Sequence, residues 1–183
     1  SFHWRNYTDS VDLLVADNNS TEVVKNLLQD LQKEGLIRML IFNETNIGRP
    51  NGVRQILNVS PGNFVGYSDC DIYFKENWLE KELELISQIP KAGFVSGMPN
   101  RSFTNYYTDF TKEYISSNTS FLMEQGKIIP EDYIKSFAET LGYDDISEPI
   151  KLWNKNDDIK ISYNGINSYV GASHMQFLTK KEI

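Results

Sequence analysis

The chain has 183 residues, enough for one domain with a sizeable core. Hydrophobic residues make up 40% and charged residues 23%, an ordinary globular balance, and no apolar run approaches the ~20 residues needed to cross a bilayer. The formal net charge of -7 argues against a general nucleic-acid binder, which needs a basic face, yet a local basic group and a metal could still hold a small anionic ligand.

At the start of the chain, Ser1 to Ser10 contains His3, Arg5 and Asp9 and no apolar h-region, so no signal peptide is read there. Val11 to Ala16 (VDLLVA) is a short apolar run, expected to be a strand buried on both faces. It ends in Asp17-Asn18-Asn19-Ser20, a cluster of turn residues. A helix should follow, capped by Asn19 or Ser20, with Val23, Val24, Leu27, Leu28 and Leu31 on one face and Gly35 as its stop. Ile37 to Phe42 reads as a second strand, and Asn43 to Asn51 as a polar loop. A short helix over roughly Gly52 to Val59 ends at Pro61-Gly62. Asn63 to Ser68 is a third strand running into Asp69-Cys70-Asp71. Glu76 to Ile89 is an amphipathic helix ended by Pro90, and Gly93 to Met98 a fourth strand. This alternation predicts a parallel sheet with right-handed crossovers and a ligand beyond the carboxyl ends of the strands.

The second half is less regular. Phe103 to Asn118 is aromatic and polar, and Pro130-Glu131-Asp132 opens a helix to about Leu141. Asp144 to Asp158 reads as an acidic connector. Ile159 to Tyr163 and Ser168 to Leu178 read as two strands joined around the tight-turn pair Asn164-Gly165. No internal repeat or domain linker is visible. Cys70 is the only cysteine, so no intrachain disulfide can form, and a reducing, cytoplasmic compartment is the simpler expectation.

The residues that carry chemistry sit at strand ends. If the backbone stays extended, Asp69 and Asp71 face the same side. Two converging carboxylates repel unless a cation compensates them, and Mg²⁺ or Mn²⁺ suits hard oxygen ligands while keeping sites for water or phosphate. Cys70 would then point toward the core. The alternative is that both acids only cap a turn. Asp17 and Asn18 could contact a base edge or a ribose hydroxyl, or simply build a loop. In Asn46-Ile47-Gly48-Arg49, Gly48 would let the backbone approach a ligand and Arg49 could pair with a phosphate; a solvated arginine is the plainer reading. Arg54 is expected in a surface ion pair. His174 reads as a structural residue in mid-strand, and Glu131-Asp132 as a helix N-terminus rather than an acid/base pair. Phe103 to Tyr107 could line an acceptor cleft or pack in the core.

Together, LLVADNNSTE at 13–22, NIGRPNGVRQIL at 46–57 and GNFVGYSDCDIYFKENWLEKEL at 62–83 resemble the family-2 glycosyltransferases of the GT-A fold. YVGASHMQFLTKKEI at 169–183 continues the likeness weakly, as an acceptor-side strand. The resemblance implies an α/β, Rossmann-like, mostly parallel sheet with helices on both faces, incomplete at both ends. It implies a single domain over residues 1–183, with a nucleotide-sugar half at 1–100 and a truncated acceptor-side half at 101–183. The donor would be a nucleotide-diphosphate sugar, UDP- or GDP-linked, and the acceptor a saccharide or a lipid-linked molecule, with no nucleic acid involved. By position, Asp17, Asn18, Asn46, Gly48, Arg49 and Asp69 would bind the nucleotide sugar, and Asp69 and Asp71 the Mn²⁺ or Mg²⁺. Direct, inverting displacement is implied. Two departures stand out: nothing before Val11 matches the T-Y-N-like first turn, and the Glu-Asp pair that carries the base does not appear by Ile183. The base is therefore expected beyond Ile183, Glu182 lying too close to the strand end. A sugar nucleotidyltransferase and a degenerate, non-catalytic GT-A scaffold or sugar-binding module are the alternatives.

Overall fold

The computed structural model describes residues 11–105 and 107–181. The readings made at Ser1 to Ser10, Tyr106 and Glu182 lie outside these residues. The chain divides into two compact units, one of residues 11–65 and 74–76, the other of residues 66–73 and 77–181.

In the first unit, β1 (Leu14–Asp17) leads through α1 (Glu22–Lys33) to β2 (Met39–Phe42), and α2 (Arg49–Val59) follows. The strands pair in parallel, from Leu14 opposite Met39 to Asp17 opposite Phe42. A parallel pair needs a crossover of a dozen or more residues, which α1 supplies. That helix ends as expected at glycine: Gly35 has φ 79°, its N–H donates to the Gln32 carbonyl, and the Leu36 N–H donates to the Leu31 carbonyl. This is the Schellman arrangement, which a left-handed residue permits. The start differs from the expectation. The residue before the helix is Thr21, without a side-chain cap, because Asn19 turns into the left-handed region at φ 68° and the Ser20 N–H is taken by Asp17 Oδ2 at 3.1 Å. Nor is β1 buried on both faces. Leu14, Val15 and Ala16 are half-buried, and the buried residue of the strand is Asp17.

The second unit holds α3 (Trp78–Gln88), β4 (Phe94–Val95), a 3₁₀ turn (Arg101–Phe103), α4 (Asp109–Ser117), β5 (Phe121–Gly126), α5 (Glu131–Thr140), α6 (Ser147–Trp153), β6 (Asp158–Tyr163), β7 (Ile166–Tyr169) and β8 (Gln176–Lys180). Its strands form two sheets. In one, β8 lies between β3 (Phe64–Ser68) and β4, antiparallel to β4, with Val95 opposite Leu178. In the other, β5, β6 and β7 are antiparallel neighbours. The mixed α/β class is as expected. The single mostly parallel sheet is corrected: among the described residues β1 and β2 form a parallel pair, and three small sheets take the place of one large one. The reason is packing. Leu178 of β8 closes a core with Ile86 and Val95, and the β6–β7 hairpin completes a second core with Ile89, Ile115, Phe121 and Val170.

Asn164 and Gly165 form the predicted tight turn, at φ 49° and 84°. Both values are positive, as a type I′ turn requires. The expected strand over Ser168 to Leu178 is split into β7 and β8. Gly171 lies between them at φ 105°, where a Cβ would stand 2.7 Å from the Phe103 carbonyl carbon and oxygen. Gly171→Ala should therefore lower stability by about 1–3 kcal/mol through strain and overlap with backbone. Urea unfolding checks this; a loss under roughly 0.5 kcal/mol, the range of neutral surface changes, would show that the backbone gives way.

Candidate functional site

Two polar loops follow the strands of the first unit, and side-chain amides tie them together. After β1, the Asn18 Nδ2 donates to Asn46 Oδ1 at 2.8 Å, while Asn18 Oδ1 accepts the Ile47 N–H at 2.9 Å. Asn46 Oδ1 also accepts the Gly48 N–H at 2.9 Å, an Asx-type turn. Gly48, at φ 78°, then caps α2, with Arg49 its first residue and Pro50 in the first turn. So Asn18, Asn46 and Gly48 are one hydrogen-bonded assembly at the carboxyl ends of two parallel strands, the edge where ligands of such sheets bind. Asp17 is buried and closes the same loop through the Ser20 N–H. Arg49 is exposed. Arg54 donates to the Asn51 side chain at 2.9 Å, which replaces the expected surface ion pair.

In the second unit the acidic pair follows β3. Tyr67 and Asp69 are two residues apart, and the Tyr67 hydroxyl donates to Asp69 Oδ1 at 2.5 Å. The Asp69 N–H donates to the Met175 carbonyl at 2.9 Å, and the Asp69 carbonyl accepts the Ile72 N–H at 3.4 Å. The strand ends at Ser68. Asp69 therefore opens a turn, and the extended geometry that would set Asp69 and Asp71 on one face does not persist. Cys70 is correspondingly exposed rather than turned into the core. Asp69 is half-buried and Asp71 exposed. Carboxylate oxygens are the donor type that a hard divalent cation takes. Among the described residues no group of three or more His, Cys, Asp or Glu side chains is arranged to hold a metal.

Behind Asp69 lies a segment that the motifs do not single out. His174 is exposed and precedes β8 instead of lying in mid-strand. The Ser173 N–H donates to Ser96 Oγ at 2.9 Å, and the Met175 N–H to Ser173 Oγ at 3.1 Å. Gln176 donates from Nε2 to Glu82 Oε2 at 2.9 Å and accepts the Gly97 N–H on Oε1 at 3.1 Å. Glu82 is 1% exposed. Its Oε1 has no hydrogen-bond partner, since the Gly97 N–H is spent on Gln176. Burial pushes the Glu82 carboxyl up to about 7, and the hydrogen bond from Gln176 offsets this only in part. A signal was present in the sequence: Leu79, Glu82, Leu83 and Ile86 have the i, i+3, i+4, i+7 spacing of one helix face, and an acid stands in that apolar stripe.

Of the aromatic stretch, Phe103 packs edge-on against Phe137 and His174 at 6.3 Å each, whereas Tyr107 is exposed. Glu131 opens α5 as expected, and it also binds Arg101 at 2.7 Å.

No helix among the described residues is long and apolar enough to cross a membrane. No curated protein and no solved structure matches the chain. The family described as Glycosyl transferase family 2 does match it, over residues 5–150. That span covers more than half of the chain and takes in both amide-tied loops, the Asp69 turn and Glu82. The chain thus belongs to family 2 of the glycosyl transferases.

Proposed function

We propose that this glycosyltransferase moves a sugar from a UDP- or GDP-linked donor to a hydroxyl of a saccharide or lipid-linked acceptor, with inversion at the anomeric carbon. The observation that carries the reading is the Asp69-Cys70-Asp71 turn at the end of β3, inside the family match. In it, Asp69 and Asp71 hold Mn²⁺ or Mg²⁺. Bound there, the cation supplies charge stabilisation for the departing diphosphate. The hydrogen bonds from Tyr67 and to Met175 fix the Asp69 carboxylate and backbone in advance, so little ordering remains for the moment of binding. Within the first unit, the family resemblance assigns Asp17 and Asn18 to the base or ribose, the Asn46–Gly48 turn to close backbone approach, and the Arg49 guanidinium to a phosphate. The acceptor oxygen attacks the anomeric carbon as the diphosphate leaves, and its proton passes to a carboxylate base.

Calorimetry with UDP and with GDP, each with and without Mn²⁺, tests the reading. Binding should require the metal, and Asp71→Ala should weaken it by about tenfold or more, about 1.4 kcal/mol or more, with the melting temperature unchanged because Asp71 is exposed. Metal-independent sugar binding, indifferent to Asp71→Ala, would instead establish a non-catalytic binding module.

A further inference from the structure

The second unit contains a buried polar relay that ends at Asp69. Glu82 on α3 holds Gln176 at the start of β8. Gln176 also takes the Gly97 N–H, which joins the β4 end to the β8 start. The residue before Gln176 is Met175, and its carbonyl receives the Asp69 N–H at 2.9 Å. Ser96 and Ser173 pin the other side of the same segment. Hydrophobic packing does not account for this arrangement. Glu82 occupies a position on the apolar face of α3 beside Ile86 and is 1% exposed, where a leucine would fill the stripe without the cost of burying an acid. Its second oxygen is unpartnered, which adds to that cost. What the acid does supply is direction. A side chain held at both its amide atoms, as Gln176 is, has one orientation, and the backbone beside it is fixed with it.

We propose that Glu82 and Gln176 are positioning residues, which act through the Met175 carbonyl to hold Asp69 in its donor-binding geometry. Neither touches the donor. The inference rests on the proposed function, because it takes Asp69 as part of the donor site.

The test compares Gln176→Ala with the exchange variant Glu82→Gln/Gln176→Glu. In the exchange the amide donor moves to position 82, while position 176 still accepts the Gly97 N–H, so the relay is rebuilt with the roles reversed. Two quantities are read: amide hydrogen exchange at Asp69, and the affinity for UDP with Mn²⁺. Gln176→Ala should speed Asp69 exchange at least about tenfold and weaken UDP at least about fivefold, and the exchange variant should recover most of both. Leu178→Val, which thins the neighbouring core without touching the relay, controls for lost stability: it should lower the melting temperature and leave UDP affinity in place. The inference is overturned if Gln176→Ala leaves Asp69 exchange and UDP affinity at parental values while Asp71→Ala abolishes binding; the donor site then stands without the relay. It is also overturned if Leu178→Val matches Gln176→Ala in both readouts. If the parent binds neither UDP nor GDP with Mn²⁺, the donor-site reading itself falls and takes the inference with it.

Discussion

Asp158→Ala should lower the stability of the protein by roughly 3–5 kcal/mol, the range for stranding one partner of a buried ion pair. Asp158 and Arg101 are both fully buried. The guanidinium meets the carboxylate through two bonds, from Nε to Oδ1 and from Nη2 to Oδ2, each 3.1 Å, the paired geometry that makes such contacts strong. Arg101 also donates to Glu131, Asn154 and the Ile129 carbonyl. Burial alone would lower the Arg101 pKa, but the Asp158 and Glu131 carboxylates more than offset it and hold it above its ordinary value. Asp158 also organises the backbone, since its Oδ2 accepts the N–H groups of Ile128 and Ile129 at 2.8 Å each. Alanine therefore strips the buried guanidinium of its paired carboxylate, leaving it the Glu131 carboxylate, and orphans two backbone donors at once. Asp158→Asn, which keeps the shape but not the charge, should fall between alanine and parent. Urea unfolding measures all three. An alanine variant within about 1 kcal/mol of parent, an average point mutation, would mean that water reaches Arg101 and compensates it.

The second large effect is a pH dependence set by Glu82. Its ordinary pKa is 4.5, and burial raises it to about 7 in the folded protein. Between those values the folded chain keeps a proton that the unfolded chain has released, so stability falls as pH rises. The contribution is fully present below about 4.5 and lost above about 7. At about 1.4 kcal/mol per unit, the full swing is on the order of 3 kcal/mol. Glu82→Gln removes the titration. Its stability should vary less than the parent's between pH 5 and pH 8 by an amount of that order, and it should be the more stable of the two at pH 8. Melting temperatures across the range, in one salt concentration, read this directly. Parallel curves for parent and variant would show that Glu82 ionises in the folded state at no cost, which an entering water could bring about.

Much of this was legible in the residues alone. The run from Val11 to Ala16 ending in Asp17 marked a strand and its polar end, and Asn164-Gly165 marked a hairpin, because each signal is local: an apolar run, a pair of residues that tolerate positive φ. The elements that escaped were decided at a distance. Residues 121–126 carry Leu122 and Met123 exposed, with no clean alternation, and become β5 because β6 supplies partners. Residues 147–153 form α6 inside what reads as an acidic connector, a helix of seven residues with no buried member. The candidate site divides in the same way. Asn18, Asn46 and Gly48 were legible as residues, and their mutual hydrogen bonds were not. The extended Asp69–Asp71 pair failed because a backbone bond from Ile72 to Asp69 closes a turn, which no periodicity reveals. Glu82 was visible as an acid in an apolar stripe, but Gln176 lies 94 residues away.

The β6–β7 hairpin carries a consequence for the order in which the chain organises. A two-residue turn closes its strands in microseconds, without waiting for distant sequence. Asp158 is the first residue of β6, whereas Arg101 must come from 57 residues earlier. Asp158 lies before the first β6–β7 rung, Lys160 opposite Tyr169, and pairs instead with Gly126 of β5, so the carboxylate is held by a strand from 32 residues upstream and not by the hairpin itself. The turn at Asn164-Gly165 closes a short loop, whereas the ion pair closes one of 57 residues, and that longer closure carries the larger entropic cost.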